Sequence, residues 1–213
     1  QQQPFNYHNV PYYLLLGILA GFISLYYARI LEGIEKLYGR IKSKKAKIIL
    51  GGLSLSILLL IFPPLFGEGY ESIKQLVNGQ MQMITQSSIL HSYLNNDYIL
   101  IIFLSAMLLV KVVAVGITLG SGGNGGNFGP SLFVGAYLGF VFARIINLTG
   151  IASLPETNFA LVAMAGILSG VFYAPLCAIF LIAEITGGYA LIIPLMMVSA
   201  ISLVITRYVE PLS

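Results

Sequence analysis

Tryptophan is absent from the 213 residues, cysteine occurs once, at Cys177, and only 9% of the side chains are charged. A soluble globular domain carries about 25% charged residues, so this chain has too few to cover a water-facing surface. A soluble enzyme, a nucleic-acid binder and a disordered chain are all excluded on that ground. A single cysteine excludes an internal disulfide framework and a thiolate metal cluster. His8 and His91 sit in polar surroundings without a third ligand at metal spacing, so no metal site is expected. With no Trp, an interfacial aromatic belt must come from the 13 Tyr and 12 Phe. The opening QQQPFNYHNV has neither a basic n-region nor an initiator Met, so it reads as no signal peptide and the chain reads as a fragment.

What is present is apolar. Hydrophobic residues make up 57% of the chain, and the mean hydropathy is +0.88. At roughly 20 residues per bilayer crossing there is room for about six or seven membrane segments. Apolar runs lie at about Pro11–Ile34, Lys47–Ile61 and Tyr98–Leu119, then Ser131–Ile146, Asn158–Phe172, Ala174–Ile185 and Ala190–Thr206. Tyr70–Val77 is a short amphipathic piece, and residues 79–97 are polar. Three of the last four runs have fewer than 17 residues, the pattern of broken or half-crossing helices. Such breaks survive in a membrane only inside protein or beside a watery cavity. The expected fold is one all-α membrane domain with tilted, unequal and broken helices around an internal site. Gly17 and Gly21 have the small-xxx-small spacing that lets helices approach closely.

The most informative stretch is GSGGNGGNFGP, Gly120 to Pro130, which holds six glycines. Backbone without Cβ atoms lets amide N–H groups come close to a ligand. Gly129-Pro130 reads as a helix start, because Pro in the first turn loses no needed donor. A helix start has unsatisfied N–H groups and a positive dipole end, and together with the loop it makes an anion cradle. With no Lys or Arg in the loop, binding would be modest, as suits an ion that must also leave. Gly120 to Gly125 matches GxGxxG literally, but it follows a membrane-length run instead of a short strand. A P-loop would need a Lys that the loop lacks. A hinge between packed helices is the remaining alternative.

GSGGNGGNFGPSLFVGAYLGF resembles the CLC chloride channel and chloride/proton exchanger family at its GxFxP signature, here Gly126-Asn127-Phe128-Gly129-Pro130. VFYAPLCAIFLIAEIT, Val171 to Thr186, is similar to the family's APL segment, and Tyr189 to Arg207 to its penultimate membrane helix. The first run with Gly17/Gly21, the second with Gly51-Gly52, and Phe66–Gly69 fall in the same order. The resemblance implies that residues 1–213 are the second of two inverted repeats of a CLC membrane domain, the first half being absent. It puts an anion against the backbone N–H groups of Asn127 and Phe128, with the Phe128 ring beside it and Gly126, Gly129 and Pro130 shaping the loop. Asn127 stands where an aliphatic residue is common. Phe172 corresponds to a position near the ion path. The Ser loop, the gating and proton glutamates and the final-helix Tyr would lie outside the chain or at its very end.

The partners so implied are chloride or a similar anion as transported ligand, a lipid bilayer, and a second copy meeting the first run and the last two. No cofactor, nucleic acid or enzymatic activity is expected, and the implied location is the cell membrane of a bacterium. A purely structural membrane subunit, or an intramembrane serine protease using Ser121, are the alternatives from other classes; the protease needs a base within reach.

Four further features have plainer readings. Glu184 is the one carboxylate deep in an apolar run and reads as a structural acid instead of a proton carrier. Lys111 and Arg144 read as interfacial anchors that snorkel. Asn147-Leu-Thr149 fits a glycosylation sequon. Seven of the eleven Lys and Arg fall between Arg29 and Lys47. The positive-inside rule would put that loop in the cytoplasm, whereas the family topology puts it outside, and the family topology is preferred.

Overall fold

The computed structural model describes residues 3–67, 69–77, 96–187 and 189–210. Among them the regular structure is entirely helical: α1 (Val10–Gly39), α2 (Lys44–Ile61), α3 (Tyr70–Val77), α4 (Asp97–Gly120), α5 (Phe128–Thr149), α6 (Glu156–Phe172), α7 (Pro175–Ile185) and α8 (Ile192–Val209). Short 3-10 turns cover Tyr7–Asn9 and Pro63–Leu65. His91 and most of the polar stretch 79–97 lie outside the described residues.

Among the described residues, four helices are long and apolar enough to cross a membrane: Tyr7–Gly39, α4, α5 and α8. The other apolar runs are charged at one end or short, as the broken-helix pattern implies. Helix α2 is apolar only beyond Lys44, Lys45 and Lys47. Helices α6 and α7, 17 and 11 residues long, are parted by Tyr173, which is left-handed at φ 56, and by Pro175. The expectation of a short helix after the glycine loop is corrected, because α5 has 22 residues. It starts earlier than Ser131 since Pro130 needs no N–H in the first turn, and it continues until Gly150, at φ 71, supplies a left-handed cap.

The core lies where α5 and α6 pack on one another and on α1, α4 and α8. The α5–α6 seam is backbone-close: a Cβ built on Gly135 would lie 2.5 Å from Met164 Cα, and one on Gly139 only 2.0 Å from the Phe159 carbonyl oxygen. Gly166 and Gly170 make room on α6 for side chains instead, Val198 of α8 and Ser24 of α1. Gly17 and Gly21 face Ile201 and Ile205 of α8, so their close packing is made within the chain and not against a second copy.

Charge ties the ends of three helices. Arg144 near the end of α5 reaches Asp97 of α4 at 2.6 Å and Glu156 of α6 at 3.2 Å. It is therefore a cross-link instead of a snorkelling anchor. Asn147 of the sequon donates to the Leu154 carbonyl and to Glu156 and accepts the Leu154 N–H at 2.6 Å, so its amide serves the α5–α6 turn.

Candidate functional site

Helix α4 unwinds at Ser121, whose N–H still donates to Ile117 O, and Gly122 turns the chain at φ 95. The loop then runs exposed to Gly126 and meets α5 at Asn127, the N-cap residue. A cap side chain ordinarily accepts an N–H from the second or third helical residue. Here the third is Pro130, which has none, and Asn127 makes no side-chain cap. Its Oδ1 is buried without a hydrogen-bond partner. No protein acceptor among the described residues takes the N–H groups of Asn127, Phe128 or Gly129. Three adjacent donors are thus left free at the helix start, where the first N–H groups have no intrahelical partner and can meet a ligand.

The frame around those donors is firm. Tyr27 of α1, fully buried, donates its hydroxyl to Asn127 O at 3.3 Å. Ser131 donates its N–H to Asn127 O and its hydroxyl to Phe128 O at 2.7 Å. Gly129 and Pro130 are buried in the first turn, whereas Gly126 and Phe128 are exposed. Phe172, at the end of α6, brings its ring to 6.3 Å from the Phe128 ring. The loop and the α6–α7 break, 42 positions apart at Pro130 and Phe172 in sequence numbering, therefore meet at one place. A cavity of about 530 Å³ adjoins it, bounded by Phe128, Gly129 and Pro130 on one side and by α2, α4 and the Leu65–Gly67 link on the other.

Two residues behave differently from the sequence reading. Lys111 is 2% exposed and lines that cavity instead of snorkelling to an interface. Its position near the middle of α4 was the available signal, since a lysine there is too deep to reach water. Tyr27 had no signal, being one of many Tyr in an apolar run. Ser121 donates its hydroxyl to Thr118 O at 3.1 Å, and His8 pairs with Asn6, so neither offers the arrangement a protease needs. Glu184 is exposed at the end of α7 and accepts the Tyr189 hydroxyl at 2.7 Å, which raises the Tyr189 pKa above its ordinary value.

The model of the voltage-gated chloride channels matches residues 1–207. The chain belongs to the voltage-gated chloride channel (CLC) family. It is 33% identical over 200 residues to "Chloride channel protein CLC-f" of Arabidopsis thaliana, covering 88% of this chain and 24% of that protein. It is 30% identical over 188 residues to "Putative chloride channel protein ClcB-like" of Ralstonia nicotianae, covering 87% of this chain and 39% of that protein. To "Voltage-gated ClC-type chloride channel ClcB" of Escherichia coli O81 it is 28% identical over 197 residues, 90% of this chain and 42% of that one. The chain therefore spans between a quarter and about two-fifths of the length of the CLC relatives it matches. Its all-helical architecture with several apolar helices is that of an integral membrane protein of the CLC type.

Proposed function

We propose that the chain is the second half of a CLC membrane domain and that the complete protein moves chloride or a similar anion across a membrane, as a channel or as a proton-coupled exchanger. The observation that carries this is the run of unbonded N–H groups on Asn127, Phe128 and Gly129 at the start of α5. Backbone donors and a helix dipole replace hydration water without a fixed charge in the loop, so the ion is held weakly enough to leave. The Phe128 and Phe172 rings, 6.3 Å apart, give those donors an apolar rim. The names of the plant and bacterial relatives support an anion as cargo. No chemical step is part of this reading.

The proposal extends to a homodimer. The outward faces of α7 and α8 leave Leu176, Phe180, Ile193 and Met196 exposed, and α1 leaves Leu15 and Phe22 exposed, an apolar surface for a second copy. It extends also to a bacterial cell membrane, supported by the Ralstonia and Escherichia relatives.

The test is halide efflux from liposomes that hold the full-length protein, with external pH recorded at the same time. Chloride efflux that drives protons uphill makes it an exchanger, and chloride efflux alone makes it a channel. Silence toward both chloride and fluoride ends the reading and returns Gly120–Pro130 to a packing hinge.

A further inference from the structure

The basic turn between α1 and α2 has no part in the site described above, yet the fold brings it to that site's mouth. Arg40, Lys42, Lys44, Lys45 and Lys47 fall within eight residues, and no carboxylate occurs between Glu35 and Glu68. Among the described residues none of the five makes an ion pair, and all but the half-buried Lys47 are exposed. Both ends of the turn are pinned to the end of α4, where the glycine loop begins. Tyr38, buried near the end of α1, packs on Gly120, where an added Cβ would lie 3.1 Å from the ring. Gly51 of α2 packs directly on the Ser121 side chain, and the exposed loop Gly122–Gly126 starts at the next residue. Along α2, Lys47, Gly51, Leu55 and Leu59 follow one another at intervals of four, so each shares a face with the next. Leu55 and Leu59 line the cavity of about 530 Å³ that Phe128, Gly129 and Pro130 also line. At 1.5 Å of rise per residue, Lys47, Lys45 and Lys44 stand about 6 to 10 Å along the α2 axis from Gly51.

Helix stability does not account for that placement. Lys44, Lys45 and Lys47 stand at the start of α2, the positive end of its dipole, where cations are unfavourable, and no acidic residue of the first turn offsets them. The cap is supplied without them, because the Ser43 hydroxyl accepts the Ala46 N–H. The glycine loop beside them carries no charge of its own. Charges of one sign at the rim of a cavity raise the local concentration of counter-ions. We propose that Arg40, Lys42, Lys44, Lys45 and Lys47 form a cationic collar at the mouth of the glycine loop, which gathers small inorganic anions before they meet the N–H groups at the start of α5. The inference rests on the chloride reading above and adds long-range attraction to a site whose own contacts are short. In water a unit charge about 10 Å away changes local anion concentration on the order of twofold before screening. How much of that survives depends on a Debye length of about 30 Å at 0.01 M salt and about 8 Å at 0.15 M.

The test compares the parent with a triple variant, Lys44→Gln, Lys45→Gln and Lys47→Gln, in the full-length protein in phosphatidylcholine vesicles. Initial chloride flux is measured below half-saturation, with sodium isethionate setting the ionic strength at about 0.01 M and then at about 0.15 M. Flux is expected to fall on the order of fourfold at the lower ionic strength and by less than about twofold at the higher. Lys45→Glu shifts the charge by two units with one substitution, and should lower flux about two- to threefold at the lower ionic strength. It keeps the proposal testable should the triple variant give no folded protein. A turn that only anchors the two helices would lower yield and thermal midpoint, with the same flux relative to the parent at both ionic strengths. That result overturns the proposal, as does flux equal to the parent's throughout. A deficit that appears only once phosphatidylglycerol is added to the vesicles also overturns it and assigns the turn to a lipid headgroup. A parent that moves neither chloride nor fluoride is a different outcome, because it ends the chloride reading and this inference with it.

Discussion

Gly126 and Gly139 sit on either side of the same helix start, yet the surroundings of their backbones have nothing in common. A Cβ on Gly139 would run into the Phe159 carbonyl oxygen, whereas one on Gly126 would meet nothing within 4 Å. At the α5–α6 seam, glycine is present so that two backbones can touch. In the loop before α5 it leaves amide groups uncovered and lets the chain turn, as Gly122 does at φ 95. The contrast separates stability from function along one continuous stretch. The seam holds the first turns of α5 in place, and the loop exposes the donors that those turns orient.

The comparison breaks most visibly on substitution at its two ends. Gly139→Val should cost more than the ~1–3 kcal/mol of ordinary overpacking, because its neighbour is backbone that has no rotamer to yield. The expected result is loss of monodisperse protein in gel filtration. Gly126→Ala should leave the thermal midpoint within the ~0.5 kcal/mol of a neutral surface change while lowering chloride flux. A well-folded Gly139→Val protein, or a fully active Gly126→Ala one, would erase the distinction between seam and loop.

A smaller effect is expected from Arg144→Met, which sharpens the comparison by loosening the far end of α5 and leaving its start untouched. The ion pairs to Asp97 and Glu156 are lost, but the Arg144 side chain is 34% exposed, so the cost should be about 1 kcal/mol. Thermal unfolding should show that decrease, and half-saturating chloride should not move.

The smallest effect belongs to Glu184. It lies at the exposed end of α7, accepts a hydrogen bond from Tyr189, and is remote in character from the α5 start. Glu184→Gln should leave chloride flux and any proton coupling unchanged; altered coupling would make it a proton carrier after all. The Tyr189 phenol has its pKa raised above the ordinary 10.0 by its bond to Glu184. Raised in the fold, it contributes below the unfolded value and loses that contribution only as pH climbs through the raised one. The melting difference between the parent and Tyr189→Phe should therefore stay constant through the neutral range and narrow only as pH climbs above the ordinary 10.0.

Much of this molecule was legible before any coordinates. Low charge and long apolar runs can be satisfied only by helices in lipid, because no water is there to bond free backbone. Tyr70–Val77 is the same span in the sequence and in the structure, since its amphipathic period is local. The GxFxP residues, at Gly126 to Pro130, likewise announced a helix start, because Pro and Gly act through their own backbone. The tertiary structure decided what depends on partners far along the chain. Gly17 and Gly21 have a spacing that fits any close helix, and only the fold made that helix α8. Lys111 reads as an anchor until the Leu65–Gly67 link closes over it, because a lysine's cost or use is set by the acceptors that another segment brings. The same holds for Phe172: its place beside Phe128 exists only because the α6–α7 break folds back to the start of α5.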